Sequence, residues 1–478
     1  MIKKLMLFIL LPLFASSQYL ETTIEVGRFP VTLEYNDIYN KVYCGLRREH
    51  NNLIVINSEN NQIIRQVEVS ANASNLLFNR INHNLYYNDI TTPYVTIIDG
   101  RTDEIITRLE TVEGNVPMVL DTVHNILYTG STIVWIAAIS IIDCNTDSVI
   151  RILYPHDLYC YDLAWNPVNN EIYGMTAAGR MIIIVSGITY EIIGGIYVAH
   201  TPRKLLWHPG NYCLYVTGSY HTLLNDTLLI CRYREIIDTL EVGRYINDME
   251  LNLNNNRLYL ADFYGNEVIV VDTDSNEILS RIRVGDGPID LLWNSMNDKL
   301  YCANYRSNDI TIIDCESDTV IKTIMVGSGP YKLCWNWHQN RVYVANYNEG
   351  TVSVLRDSFS GIDEQENSDL KMRTLEISPN PAKTVIRVRV PWANKGRRLI
   401  QAVKIFDVSG KLVKEIASPA PLSKRQFRNN YATSSKKVLG RNDGKIKISL
   451  KGINPGEKSR DSVTTYPSLF GHLFCYFH

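Results

Sequence analysis

The chain has 478 residues and carries 48 Lys and Arg against 50 Asp and Glu, with room for one large repeat array and an appendage. The near-neutral total conceals a division. Residues 19–370 hold 24 basic against 44 acidic side chains, whereas residues 371–460 hold 22 against 5, so two units of different character follow one another. The acidic body argues against a nucleic-acid partner, because phosphate contacts need clustered cations.

The N-terminus reads MIKKLMLFILLPLFASSQ. Lys3 and Lys4 form a positive start, Leu5 to Phe14 an apolar core, and Ala15-Ser16-Ser17 a small-residue cleavage region near Gln18. The alternative is a membrane anchor, but the apolar run falls short of the ~20 residues a spanning helix needs. Residues 1–18 are therefore expected to be a signal peptide. No later segment reads as transmembrane.

Residues 19–357 repeat one unit. A Tyr recurs at positions 43, 86, 128, 173, 215, 259, 301 and 343, at intervals of 42 to 45 residues. Eight residues before each stand Tyr35, Phe78, Leu120, Trp165, Trp207, Leu251, Trp293 and Trp335, and two further back every residue is Leu or Met. The residue after the aromatic column is Asn in six copies, Asp121 in one and His208 in one. Stretches such as YKLCW and RVYVAN alternate with period two, as strands with two distinct faces do. Asn-, Asp- and Gly-rich turns separate them. Four short antiparallel strands in about 42 residues, repeated eight times, predict an all-β chain whose main domain is a β-propeller of four-stranded blades. The eighth unit stops at TVSVLRD without a fourth strand, and Thr22 to Val26 is expected to supply it beside Thr351 to Leu355. That closure would hide a raw sheet edge.

RVYVAN, KLYCAN and RLYLAD, with the VGSGP of IIDCESDTVIKTIMVGSGPYKLCW, resemble the YVTN-type β-propeller repeat over about residues 22–357. The resemblance implies an extracellular or periplasmic protein and commonly seven blades, so the count of eight departs from the family norm.

After a polar linker, residues 358–375, come LEISPNPAKTVIRVRV, VKIFDVSGKLVKEI and KIKISLKGINPG. Pro379-Asn380-Pro381, Phe406 to Val413 and Gly452 to Gly456 resemble the C-terminal sorting domain of type IX secretion substrates. This implies a small β-sandwich over residues 376–457 that engages the secretion machinery. Residues 458–478 depart from that pattern, which suggests an incomplete domain, as a frameshift would leave, or a divergent terminus. Export signals at both ends place the protein outside the cell or on its outer surface.

Nine Cys, an odd number without a CxxC, point to small buried residues rather than a disulfide framework, with Cys213 and Cys231 left as a candidate pair across one hairpin. No HExxH, GxSxG, phosphate loop or dinucleotide fingerprint is present, and the ten His are dispersed. No catalytic residue, cofactor or metal is expected. Two constellations remain. Asp162, Lys204, Asp248, Asp290 and Lys332 fall three residues before the aromatic column, at the mouth of the central channel, where they could bind a polar ligand or simply pair with one another. Phe263, Tyr305 and Tyr347 follow the repeat motif on the same face, where they could form an aromatic row or cover the edge of the next blade. Substitutions at both are expected to leave the fold intact. The favoured function is a monomeric binding module for an extracellular glycan, peptide or protein. The alternative is a propeller-type hydrolase or lactonase that uses the channel-mouth charges.

Overall fold

In the computed structural model, residues 18–357 are described apart from 49–52, 132–137, 156–159, 177–179, 199 and 220–224, together with the strands Ser378–Pro379, Val385–Arg389, Ala402–Phe406, Leu412–Ala417, Lys445–Ser449 and Cys475–Phe477. Residues 1–17, the linker, Asn380-Pro381 and Gly452 to Gly456 lie outside the described residues.

Eight four-stranded antiparallel sheets follow one another in residues 18–357, one per sequence unit. Blades 1 to 7 span residues 30–67, 73–110, 115–153, 163–197, 201–241, 246–283 and 288–325. Blade 8 takes three strands from residues 330–357 and its fourth from Gln18–Glu25, which runs antiparallel to Thr351–Asp357. The propeller therefore has eight blades and closes through its N-terminal strand. That strand is longer than expected: Gln18, counted above with the leader, pairs with Asp357 and is buried. The first strands of successive blades touch in a ring around the axis, and those of blades 1 and 8 meet across the seam.

The sequence columns are fastenings between blades. The marker Tyr is fully buried in nearly every blade, and in most of them its hydroxyl donates at the turn between the third and fourth strands of the next; among the described residues the Tyr128 hydroxyl has no partner, and Tyr173 donates to Glu171 of its own blade. Tyr43 reaches Asp103 at 2.7 Å, Tyr259 reaches Asp318 at 3.2 Å, and Tyr343 reaches Asn61 across the seam at 2.7 Å. In the Asn column the side-chain oxygen caps the turn that follows, as Asn294 Oδ1 does for Met296 N–H. In three copies the amide reaches the same turn of the next blade, Asn79 to Asn125 at 2.6 Å, Asn252 to Asp298 at 2.7 Å and Asn294 to Asn340 at 2.8 Å, whereas Asn36 reaches Gly100 O and Asn166 and Asn336 stay within their own blades. His208 keeps the cap, because its Nδ1 accepts from Gly210 N–H at 3.0 Å. This explains how His can stand in an Asn column.

The aromatic column has a polar partner five residues later. Trp165, Trp293 and Trp335 donate Nε1–H to Asn170, Asp298 and Asn340 at 2.9 to 3.2 Å. Each acceptor sits in the left-handed region, which Asn and Asp tolerate best among side-chain-bearing residues. In blade 5 that position is Tyr212, with φ of 58°, and Trp207 Nε1 is buried without an acceptor. Tyr212→Asn is therefore expected to stabilise the protein by about 1–2 kcal/mol, since it relieves an unfavourable φ and satisfies a buried donor. A rise in the urea midpoint checks it, and an unchanged or lower midpoint counts against it.

Residues 361–478 form a separate unit. Its strands make two three-stranded antiparallel sheets, one of residues 378–379, 385–389 and 445–449 and the other of 412–417, 402–406 and 475–477. Cys475–Phe477 pairs with Val403–Ile405, so the residues after Gly456 contribute a strand that the sequence pattern did not reveal.

Candidate functional site

In blades 5 to 8 the pairing of the first strand skips one residue just before Lys204, Asp248, Asp290 and Lys332. Such a bulge re-aims the side chain that follows it. The residues it presents gather as expected, but their carboxylates work between blades. Asp162 Oδ2 accepts Leu205 N–H at 2.9 Å, Asp248 Oδ2 accepts Leu291 N–H at 3.0 Å, and Asp290 Oδ2 accepts Leu333 N–H at 2.7 Å. In every case the donor lies on the first strand of the next blade, whose inner edge has no other strand to pair with. The lysines balance part of this charge: Lys332 Nζ lies 2.6 Å from Asp290 and Lys204 Nζ 3.7 Å from Asp248. Both lysines are walled by protein yet keep 39% and 41% of their side-chain surface open to the channel.

Two acids at this site escaped the sequence reading. Glu34 Oε1 accepts Phe78 N–H at 3.0 Å, and Glu250 Oε1 accepts Trp293 N–H at 3.1 Å. Both stand two residues after the position first singled out, so strand alternation was the signal that could have found them. Burial pushes the Glu250 carboxyl up to about 8, with neighbouring Asp248 adding to the rise, and burial pushes Glu34 up to about 7. Asp290 is pushed up to about 6 by burial against the pull of Lys332, and burial also raises Asp162. Burial opposes the lysine charges, but neighbouring carboxylates outweigh it and raise Lys204 and Lys332. Among the described residues no cluster of His, Cys, Asp and Glu has the arrangement to hold a metal ion.

The aromatic row divides into a packed side and an open side. The Phe263 ring lies against Gly287 and the Tyr305 ring against Gly329, each 3.1 Å from where a Cβ would stand. Tyr347 packs on Phe29, ring centroids 5.0 Å apart. Gly287, Gly329 and Phe29 hold the same left-handed turn at the entry to the next blade, with φ of 70°, 68° and 56°. All three rings therefore cover the next blade's edge and are half-buried. Beside them Tyr245 and Tyr264 are 38% and 51% exposed, so this part of the face remains open to a partner.

The candidate disulfide is overturned. Cys231 pairs with Leu214, not Cys213, and the two sulfur residues belong to core clusters on opposite faces of blade 5. All eight described cysteines are free and buried.

No family model and no curated protein matches the sequence. Among solved structures the chain is similar to the crystal structure of Saccharomyces cerevisiae Sqt1, 12% identical with a TM-score of 0.61, over 70% of this chain and 98% of that one. It is also similar to Kuenenia stuttgartiensis hydrazine synthase, 14% identical with a TM-score of 0.48, over 59% of this chain and 94% of that one. At such identities a likeness speaks to fold alone. The class defined by strand order and closure is an eight-bladed β-propeller, a fold compatible with an interaction module. No helix among the described residues is long and apolar enough to cross a membrane.

Proposed function

We propose that this chain is an exported propeller of YVTN type, carried by a signal peptide and a type IX sorting domain, that binds an extracellular partner through the face bearing Phe263, Tyr305 and Tyr347. The observation that carries the reading is the exposed Tyr and Arg surface beside those rings, the composition of contact hot spots. The channel carboxylates are fastenings between blades, which accounts for their burial without catalysis. The mature chain, screened on glycan and peptide arrays, should retain a ligand that the Tyr245→Ala and Tyr264→Ala variants bind more weakly, by about 1 kcal/mol each. Capture of nothing, or binding unchanged in both variants, would end this reading.

A hydrolase or lactonase is the second reading, favoured by one observation. Glu250, Glu34 and Asp290 have raised pKa values inside a cleft, as catalytic acids do. Turnover of ester or lactone substrates that disappears in Glu250→Gln, a variant that keeps the acceptor for Trp293 N–H, would favour it over the binding reading.

A further inference from the structure

The fourth strand of each blade lies on the rim of the ring and pairs only with the third strand of its sheet. Such an edge is a template for another strand unless something blunts it, and a charged side chain is a common device. Seven of the eight edges carry one. In blades 1, 2, 3, 5, 6 and 7 the residue that the ladder skips is followed within two positions by Arg65, Arg108, Arg151, Asp238, Arg281 or Lys322. In blade 8 the skipped residue is itself Glu21.

Blade 4 is the exception. Gly194 and Gly195 follow its skipped Ile193, and Ile192–Tyr197 holds no charged residue. Apolar side chains face solvent there instead: Ile192 and Ile193 are exposed, Tyr197 is 68% exposed, and Met181 stands opposite it on the third strand. Arg234 of blade 5 passes 3.5 Å from where a Cβ on Gly194 would stand, but its guanidinium is held by Glu171 at 2.6 Å. The remaining charge sits at the two ends with opposite sign. Glu191 precedes the strand and meets only the exposed Arg151, a weak surface pair. Arg180, whose carbonyl accepts Val198 N–H, flanks the far end, is exposed and forms no ion pair among the described residues.

We propose that this edge is a dimerisation surface, on which Ile192–Tyr197 pairs antiparallel with the same strand of a second copy about a dyad at Gly195. In a two-fold contact each surface must complement itself. A charge near the strand centre would meet its own copy, which disfavours the other seven edges and leaves blade 4. Counting outward from Gly195, Ile193 falls opposite Tyr197 of the second copy, a β-branched and aromatic pair of the kind that stabilises sheets. The Glu191 end of each strand then falls beside the Arg180 end of the other. The contact lies on the rim and does not depend on the binding reading above. Its consequence for that reading is that two binding faces are presented at once, so a repeated partner is held with avidity.

The full mature chain, followed by sedimentation equilibrium across a wide range of concentration, should associate to a dimer. Ile193→Lys should weaken association about tenfold or more, and adding Tyr197→Lys, which sets ammonium against ammonium across the dyad, should abolish it. Ile193→Lys with Tyr197→Glu should recover part of the loss, because the two new charges then meet with opposite sign. Ile64→Lys, at the skipped position of blade 1, should leave the dimer unchanged. All these positions are exposed, and circular dichroism checks that each variant is folded. A monomer at every concentration overturns the proposal and leaves the edge to a strand of another protein. A dimer that Ile193→Lys with Tyr197→Lys leaves intact, or that Ile64→Lys weakens as much, overturns it too. Equal loss in the two double variants overturns the pairing about Gly195.

Discussion

Replacing Arg341 by Ala should destabilise the entire ring by about 3–5 kcal/mol, the range for breaking a buried ion pair. The side chain is 8% exposed, and Arg341 holds three partners at the seam. Its Nε donates to Glu21 at 2.7 Å, its Nη2 to the other oxygen of Glu21, and its Nη1 to Ser58 O and Glu59 O of blade 1. One side chain thus ties the closing strand, blade 8 and blade 1 together. Glu21 stands at a special place. In the fourth strand of blades 1 to 7 the ladder skips one residue, and that residue is an exposed aliphatic such as Ile64, Ile150 or Ile321. In the closing strand the skipped residue is Glu21, turned by the same bulge to meet Arg341. The urea midpoint should fall for Arg341→Ala without a change in cooperativity, and deletion of residues 18–25 should leave the chain unable to fold. Arg151→Ala, which removes an exposed partner of Glu191, is the comparison and should cost under about 1 kcal/mol. A midpoint for Arg341→Ala equal to that of Arg151→Ala would show that the seam is held by the strand ladder alone.

The propeller was legible because one spacing was written eight times, and because its turns need residues that tolerate the left-handed region. Closure was legible for a related reason: a missing strand at one end matched a spare strand at the other. The marker Tyr and the Asn column were visible as columns, but their purpose was not, since each reaches a turn about 60 or 46 residues later. Nothing local in sequence reports a contact of that span. The channel charges were found through the same alignment and then misjudged in their consequence. Asp248 and Asp290 were expected to be replaceable without harm to the fold, yet each accepts a backbone N–H from the neighbouring blade, so their loss leaves a buried donor unsatisfied. The edge of a first strand has no sequence signature, which is why the fastening could be seen only in three dimensions. For the aromatic row, the reading that the rings cover the next blade agrees with the geometry, and the open surface lies at Tyr245 and Tyr264 instead.

Glu250→Gln should make the protein more stable at pH 8 and remove part of its loss of stability at alkaline pH. The Glu250 carboxyl is raised from an ordinary value near 4.5 to about 8 by burial, helped by Asp248 and Asp290 and opposed by Trp293 N–H and Lys332. Between those two pH values the folded chain holds a proton that the unfolded chain has released. Stability therefore falls as pH rises through this window, and is fully retained only below about 4.5. Glu34 acts in the same direction up to about 7 and Asp290 up to about 6, so the wild-type protein should be most secure in mild acid. Gln keeps an oxygen to accept Trp293 N–H and has no charge to bury. The gain at pH 8 should be on the order of 1–3 kcal/mol, shrinking to nearly nothing at pH 5. Asp290→Ala should behave oppositely. It strands Leu333 N–H and leaves Lys332 without its nearest partner, at a cost of about 2–4 kcal/mol. Urea titrations of both variants from pH 5 to 8 separate the two effects. A Glu250→Gln curve parallel to wild type across that range would mean that the carboxyl stays ionised in the folded channel, and the pH dependence would then have to arise elsewhere.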